Sequence, residues 1–428
     1  MSPTRHYLVV TASYWGFTLT DGALRMLVLL HFFRLGYSPF TLALLFLLYE
    51  AAGIFANLGG GWLVSRFGIS RMLTVGLGLQ VLALLLLSLL DPMWSAAGSV
   101  AWVVMAQGIA GIAKDLTKTA SKSAIKVTAA AGNGQLFRWV AWFTGSKNAM
   151  KGLGFFVGGL LLDTVGFQPA LWLMTALLGL ILIAAVVLLP GQLGRAGSSK
   201  NMREFFAKSA GVNVLAAARV FMFGARDVWF VVGLPVFLYT QGWSFWQVGG
   251  FLAAWTIAYG AIQAMAPALV RHSADGSEYP GTALSREVIA ARLWAIVLTA
   301  IPAVLALTAA SQEFLRIDIV MVVVAGLALF GVPFAVNSSL HSYLILAYAG
   351  SRKAAEDVGF YYAANATGRL IGTLLSGLLY QVGGLTACLV GSTVMLGICS
   401  AITFLLPAQV RQQEGAEAPL KRAPGRGK

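Results

Sequence analysis

Charge is scarce in this sequence. Only 11% of its 428 residues are Asp, Glu, Lys or Arg, 58% are hydrophobic, and the mean hydropathy is +0.78. A soluble domain of this length carries about 25% charged residues on its surface, so that class is excluded. Cysteine is scarcer still. Cys388 and Cys399 share one apolar run and are too far apart on a helix to meet, which excludes a disulfide framework or a thiolate metal site. They read as two small buried hydrophobes. Period-two alternation is missing, which excludes a transmembrane barrel. No GxxxxGK[ST], HExxH or GxSxG pattern occurs, so direct nucleotide hydrolysis and the common hydrolase sites have no motif here. The first residues, MSPTRHYLVV, lack a cleavable signal, and the first apolar span is expected to stay in the mature protein.

Long apolar runs are what the sequence has instead. Stretches such as 77–90, 171–189 and 293–310 approach the ~20 residues a spanning helix needs. About twelve spans are predicted, at 8–33, 40–64, 72–90, 96–118, 136–162, 168–190, 213–239, 247–270, 289–310, 318–348, 358–381 and 385–407. The polar stretch 191–212 divides them into an N-terminal six-helix bundle (1–190) and a C-terminal one (213–407). It is the central linker, and 408–428 forms a disordered tail. The expected fold class is an all-α membrane protein of two pseudo-symmetric six-helix bundles.

The net charge of +14 could suggest nucleic acid, but its distribution argues for topology instead. Arg66, Arg71, Arg195, Lys200, Arg203, Lys208, Arg271, Arg286, Arg352, Lys353 and the tail bases fall on one side. Arg34 and Arg316 are almost alone on the other. By the positive-inside rule both termini and the linker are cytoplasmic, in a bacterial inner membrane.

A Gly-x-Leu-x-polar-x-x-Gly pattern recurs at the ends of spans. Gly61, Leu63, Ser65 and Gly68 close the second, and Gly159, Leu161, Asp163 and Gly166 close the fifth. Gly377, Leu379, Gln381 and Gly384 close the eleventh, and a degraded copy falls at 266–271. Glycines allow close helix approach, and the polar group caps the helix end. The leading copy resembles the loop motif of the major facilitator superfamily, with Ser65 where that motif carries an aspartate. The resemblance implies inverted repeats, a midplane site between the halves and alternating access.

Ionisable groups at membrane depth are costly, so each is a functional candidate. Asp21 and Arg25 share a helical face, either as a self-neutralising pair or as a proton site beside an anion contact. Glu50 and Asn57 share another face, and Glu50 is a candidate proton carrier. Lys114, Lys118, Lys122 and Lys126 recur every four residues around Asp115. The lower two read as a solvated helix end, whereas Lys114 lies deeper. Lys147 and Lys151 sit one turn apart inside the fifth span with no acidic neighbour in sequence, and a bound anion would partner them. Arg219 and Arg226, beside Asp227, share a face of the seventh span. Asn365 and Arg369 share one in the eleventh, where Tyr361 also lies on the face of Asn365. Asn337 and His341 share one in the tenth, and a lone buried histidine is more often a packing residue. The expected substrate site is Arg25, Lys147, Lys151, Arg219, Arg226, Asn365 and Arg369, with Asp21, Glu50, Asp115 and Asp227 for proton coupling. Lys114, Asn57, Asn337, His341 and Tyr361 complete the cavity. Guanidinium forks at several points suit phosphate-like or carboxylate anions.

Segments 14–26, 114–126, 144–163 and 357–381 resemble the ArsJ-type organoarsenical efflux permeases, and the likeness runs over the chain up to Pro407. That resemblance implies export of 1-arseno-3-phosphoglycerate, made when a glyceraldehyde-3-phosphate dehydrogenase partner uses arsenate in place of phosphate. The exported ester breaks down to arsenate, so export confers arsenate resistance. Two poorly placed cysteines argue against a three-thiol arsenite pump. The expectation is a monomeric secondary transporter, exporting an anionic small molecule across the bilayer by proton antiport, with no cofactor and no enzymatic activity. The alternatives are a carrier for another phosphorylated or carboxylated anion and, from another class, an intramembrane enzyme or lipid flippase.

Overall fold

Glycine decides where these helices stop. The computed structural model describes residues 3–129, 136–190, 209–270, 280–311, 318–348 and 354–407. Within them Gly36, Gly68, Gly166, Gly242 and Gly384 have φ of 87°, 85°, 84°, 87° and 61°, a region that costs a side chain roughly 1–2 kcal/mol. Gly68, Gly166 and Gly384 are the closing glycines of the three repeated patterns. Gly36 and Gly242 mark a second repeat, with Gly36-Tyr37-Ser38 after the first span and Gly242-Trp243-Ser244 after the seventh.

The helices are α1 (Pro3–Arg34), α2 (Pro39–Leu45), α3 (Leu47–Phe67), α4 (Ile69–Ser88), α5 (Ala96–Ala129), α6 (Leu136–Thr164) and α7 (Phe167–Leu188), followed by α8 (Ala210–Phe230), α9 (Gly233–Thr240), α10 (Phe245–Val270), α11 (Pro280–Ala310), α12 (Ile319–Tyr348) and α13 (Ala354–Phe404). The predicted second span is the broken pair α2–α3, and the seventh is α8–α9. At the second break the Ser376 hydroxyl accepts from the amides of Val232 and Gly233 at 3.1 and 3.0 Å. The eleventh and twelfth spans form one chain of helix, broken at Gly383 and Gly384. The fourth span continues to Ala129, and α11 begins at Pro280, within the gap between the predicted spans 247–270 and 289–310. Both extensions show that polarity ends an apolar run without ending a helix. The linker at 191–208 and the tail from 408 lie outside the described residues.

Among the described residues ten segments are long and apolar enough to cross a membrane. One of them, Asp357–Phe404, has 48 residues and is two crossings in length. Helix α6 is not among the ten, and it is the helix that carries Lys147 and Lys151. With both counted, the chain makes about twelve crossings.

Burial sorts the crossings into inner and outer. In α1 and in α8–α9, 78% and 72% of the most apolar window is buried, against 22% in α7 and 33% in α11. Leu180, Ile183 and Val187 of α7 present an apolar outer face suited to lipid.

Small residues let the inner helices touch. Gly154 and Gly158 of α6 lie against the backbone of Leu19 and Ala23 in α1. In the other half, Gly368 and Gly372 of α13 lie against Val220 and Gly224 of α8 in the same way. The same one-turn glycine spacing at corresponding positions is the pseudo-symmetry of the two halves. Two antiparallel contacts then join the halves. In one, α6 packs on α10 through Gly159 on Phe245, Gly152 on Ala253 and Gly260 on Asn148. In the other, α2–α3 packs on α13 through Gly377 on Pro39, Gly53 beside Ala366 and Gly359 beside Asn57.

Candidate functional site: a cationic centre between the halves

The second of those contacts brings charges together at its midpoint. Glu50 of α3 accepts from Arg369 Nη2 of α13 at 2.7 Å, and the same Oε1 forms an ion pair with Arg25 Nη1 of α1 at 3.0 Å. Arg369 Nε reaches Asp227 Oδ2 of α8 at 3.3 Å. Asp227 Oδ1 also accepts from Arg226 Nε at 2.7 Å, and Arg226 Nη2 pairs with the same oxygen. The result is one chain of alternating charge, Arg25–Glu50–Arg369–Asp227–Arg226, running from the first half into the second. Glu50 and Asp227 are almost fully buried, while the Arg369 and Arg226 side chains keep 18% and 15% exposure. The carboxylates are therefore sealed in, and the guanidinium groups retain an accessible edge.

Aromatic rings floor this chain. The Arg25 guanidinium lies over Phe46 and Tyr49 at 5.1 and 5.6 Å, and Arg226 lies over Phe223 and Phe334 at 5.0 and 5.5 Å. Ring faces stabilise a cation where water is scarce without neutralising it.

Two satellites adjoin it. Tyr49 Oη donates to Asp21 Oδ1 at 2.6 Å, and Lys114 Nζ sits 3.8 Å from the centroid of the Tyr49 ring. Asp115 holds Lys118 at 2.9 Å and Lys114 at 3.8 Å, while Lys118 also donates to Asn57 Oδ1 at 3.0 Å. Asp21 and Arg25, adjacent on one helical face, are not paired with each other. Helix α3 supplies Tyr49 to one and Glu50 to the other, and these tertiary partners win over the local one.

Lys147 and Lys151 of α6 differ from the rest. Both are half-buried, and neither forms an ion pair or hydrogen bond among the described residues. Lys151 is set beside α1 by the close approach of its carbonyl to Gly22, and its Nζ is 5.6 Å from the Phe155 ring centroid. It lies in the combined field of Arg25, Arg369, Asp21 and Glu50. Lys147 lies in the field of Lys118, Lys122, Arg226 and Arg369, with no carboxylate among those dominant charges.

The remaining predicted residues form a separate group. Arg219 is buried and donates through Nε to Asn365 Oδ1 and through Nη1 to the Ser338 carbonyl, both at 3.2 Å. Its guanidinium lies 4.9 Å from the Tyr361 ring centroid, and Asn337, His341 and Tyr361 are wholly buried nearby. Phe223 adjoins both groups, with its ring centroid 4.0 Å from the Arg219 guanidinium and 5.0 Å from that of Arg226. The structure thus joins Arg25, Glu50, Arg226, Asp227 and Arg369 in one chain with Lys151 in their field, and places Arg219, Asn337, His341, Tyr361 and Asn365 in a second group outside that ion-pair chain.

Sequence reading missed Tyr49, Phe46, Phe223 and Phe334, because an aromatic in an apolar helix carries no signal of what it faces. It also placed Lys122 at a solvated helix end. Lys122 Nζ instead lies 4.3 Å from the Tyr362 ring centroid on α13, across the boundary between the halves. The Lys126 side chain lies outside the described residues. Cys388 and Cys399 are free and buried, as their apolar setting requires.

The family model of the Major Facilitator Superfamily matches residues 7–283. The chain belongs to the major facilitator superfamily. Solved structures of that transporter fold are similar over nearly the whole chain. One is a proton dependent oligopeptide transporter, with TM-score 0.64 and 14% identity, covering 94% of this chain and 98% of the other. Another is a mutant of the nucleoside transporter NupG, with TM-score 0.68 and 12% identity, covering 94% and 98%. At those identities the likeness shows the fold alone. No curated protein matches the sequence. As a major facilitator transporter, the chain takes a small-molecule substrate across a lipid bilayer.

Proposed function

We propose that this transporter exports an organic oxyanion carrying phosphate-like groups, and that its substrate is 1-arseno-3-phosphoglycerate. The observation that carries the anion is Lys147. An ammonium at membrane depth in the field of four cations, with no carboxylate partner among the described residues, is costly unless an anion is bound beside it. Seven basic side chains (Arg25, Lys114, Lys118, Lys147, Lys151, Arg226 and Arg369) face four carboxylates in the central group and its satellites. The excess suits a substrate with more than one negative group. Pentavalent arsenic in an ester presents the same tetrahedral oxygens as phosphate, and these cations suit it without thiol ligands.

The arsenic itself rests on the resemblance of segments 14–26, 114–126, 144–163 and 357–381 to the ArsJ-type permeases. On that reading a glyceraldehyde-3-phosphate dehydrogenase supplies the substrate and export confers arsenate resistance. The protein works as a monomer in a bacterial inner membrane with both termini cytoplasmic. The bundles 1–190 and 213–407 rock about the central linker, and no enzymatic step is involved.

Proton antiport supplies the energy. Glu50 and Asp227 each hold two guanidinium groups and Asp115 holds two ammonium groups. Asp21 has only the Tyr49 hydroxyl among the described residues. It is therefore the carboxylate that can accept a proton without breaking an ion pair.

Cells given arsenate should export organic arsenic only when this protein and the dehydrogenase are both present. A carrier for another phosphorylated or carboxylated metabolite is the second reading, favoured by the same excess of cations. Competition by 3-phosphoglycerate, arsenate and sugar phosphates separates the two.

A further inference from the structure

Arg369 is the one guanidinium in the central chain held by carboxylates from both halves. Asp227 lies on α8, which runs parallel to α13 and is packed against it by Gly368 and Gly372, so this partner travels with Arg369. Glu50 lies on α3 in the other half and keeps a second partner, Arg25, in its own half. Asp227 likewise keeps Arg226, so either carboxylate can release Arg369 without being left unpaired, but only the release of Glu50 parts the two halves. Arg369 keeps 18% exposure, and Lys151, which has no ion pair among the described residues, lies in the field of Arg369 and Arg25 as well as of Asp21 and Glu50.

We infer that Glu50 is a specificity-determining residue that acts as a tethered competitor for the substrate's anionic group at Arg369. The inference rests on the anion-carrier reading above and deepens it. A free monocarboxylate offers Arg369 only the group that Glu50 already offers, and Glu50 is covalently held at its position. Tethered groups compete at an effective concentration in the millimolar range or above, so a monocarboxylate ligand is outcompeted. A doubly charged tetrahedral group has oxygens for Arg369 and Lys151 together, and gains two charge-assisted contacts for the one that Glu50 gives up. Glu50 then falls back on Arg25. The tie between α3 and α13 at 2.7 Å is broken in the same event, so only a ligand of sufficient charge unlocks the two halves. Selection for phosphoryl or arsenyl groups and release of the inter-half contact become one step.

The test is a binding comparison on the purified full-length protein with two probes, 3-phosphoglycerate and glycerate. They share a three-carbon hydroxy acid and differ by the phosphoryl group. The wild type should prefer 3-phosphoglycerate by about tenfold or more, equivalent to ~1.4 kcal/mol. In Glu50→Gln, which keeps the shape and removes the competing charge, glycerate should gain affinity more than 3-phosphoglycerate does, and the preference should shrink several-fold. Glu50→Asp keeps the charge but shortens the reach toward Arg369, so it should shift the ratio in the same direction by less, and it carries the test if the glutamine variant does not fold. A wild type without preference between the probes, or a ratio unchanged in a folded variant, overturns the role given to Glu50. A wild type that binds neither probe contradicts the anion-carrier reading itself.

Discussion

Glu50 and Arg369 meet across the boundary between the two halves, Oε1 to Nη2 at 2.7 Å, and each keeps a second partner within its own half. Removing the arginine leaves Glu50 with Arg25 alone and Asp227 with Arg226 alone, a loss smaller than the ~3–5 kcal/mol of a fully unpaired buried charge. Arg369→Ala should therefore abolish transport and also lower the melting temperature of the purified protein. Arg369→Lys restores charge but not the fork that reaches both Glu50 and Asp227, so it should recover stability better than transport. Thermal unfolding measured beside vesicle uptake separates the two effects.

Lys147 predicts the opposite pairing of outcomes. Its ammonium has no carboxylate partner among the described residues and lies in the field of four other cations. Lys147→Ala should weaken transport at least tenfold while leaving the melting temperature unchanged or raised, because like-charge repulsion is relieved. A lysine with a structural role would lose stability instead, and the same melting experiment distinguishes these.

For Asp21, the expectation concerns coupling alone. Asp21→Asn keeps a hydrogen-bond acceptor for Tyr49 but cannot take up a proton. Uptake into everted vesicles driven by a pH gradient should be lost, while substrate exchange at equal pH on both sides persists. Wild-type uptake that survives collapse of the gradient sinks the antiport mechanism.

Glycine contacts offer a test that does not involve charge. A side chain at Gly158 would meet the Ala23 backbone where α6 crosses α1, whereas Gly179 on α7 has open space around it. Gly158→Val should cost about 1–3 kcal/mol or more through overpacking, and Gly179→Ala should cost nothing measurable. Expression and melting temperature report both.

The crossings were legible because a bilayer demands apolar length, and that demand is written in consecutive residues. The closing glycines Gly68, Gly166 and Gly384 were legible too, since left-handed backbone restricts the residue choice. The breaks at Phe46 and Val231 were not, because they depend on what the neighbouring helix offers, as Ser376 does for Val232 and Gly233. Within the site, the sequence identified which residues carry charge at depth. It could not pair them. Asp21 and Arg25 are one turn apart, yet Tyr49 and Glu50 take them separately, and Glu50 finds Arg369 across more than three hundred residues. Nor could it separate Arg219 from Arg226, which share a helical face but take different partners, Asn365 and the Ser338 carbonyl for the first and Asp227 for the second.

The most direct test of a central oxyanion site is uptake of arsenic into everted vesicles while glyceraldehyde-3-phosphate dehydrogenase makes the arsenate ester outside them. With the wild type, arsenic should accumulate only when arsenate, glyceraldehyde 3-phosphate, NAD and the dehydrogenase are all supplied, and Lys147→Ala and Arg369→Ala vesicles should stay at background. Full accumulation in both variants, each present in the membrane at wild-type level, would contradict the cationic site.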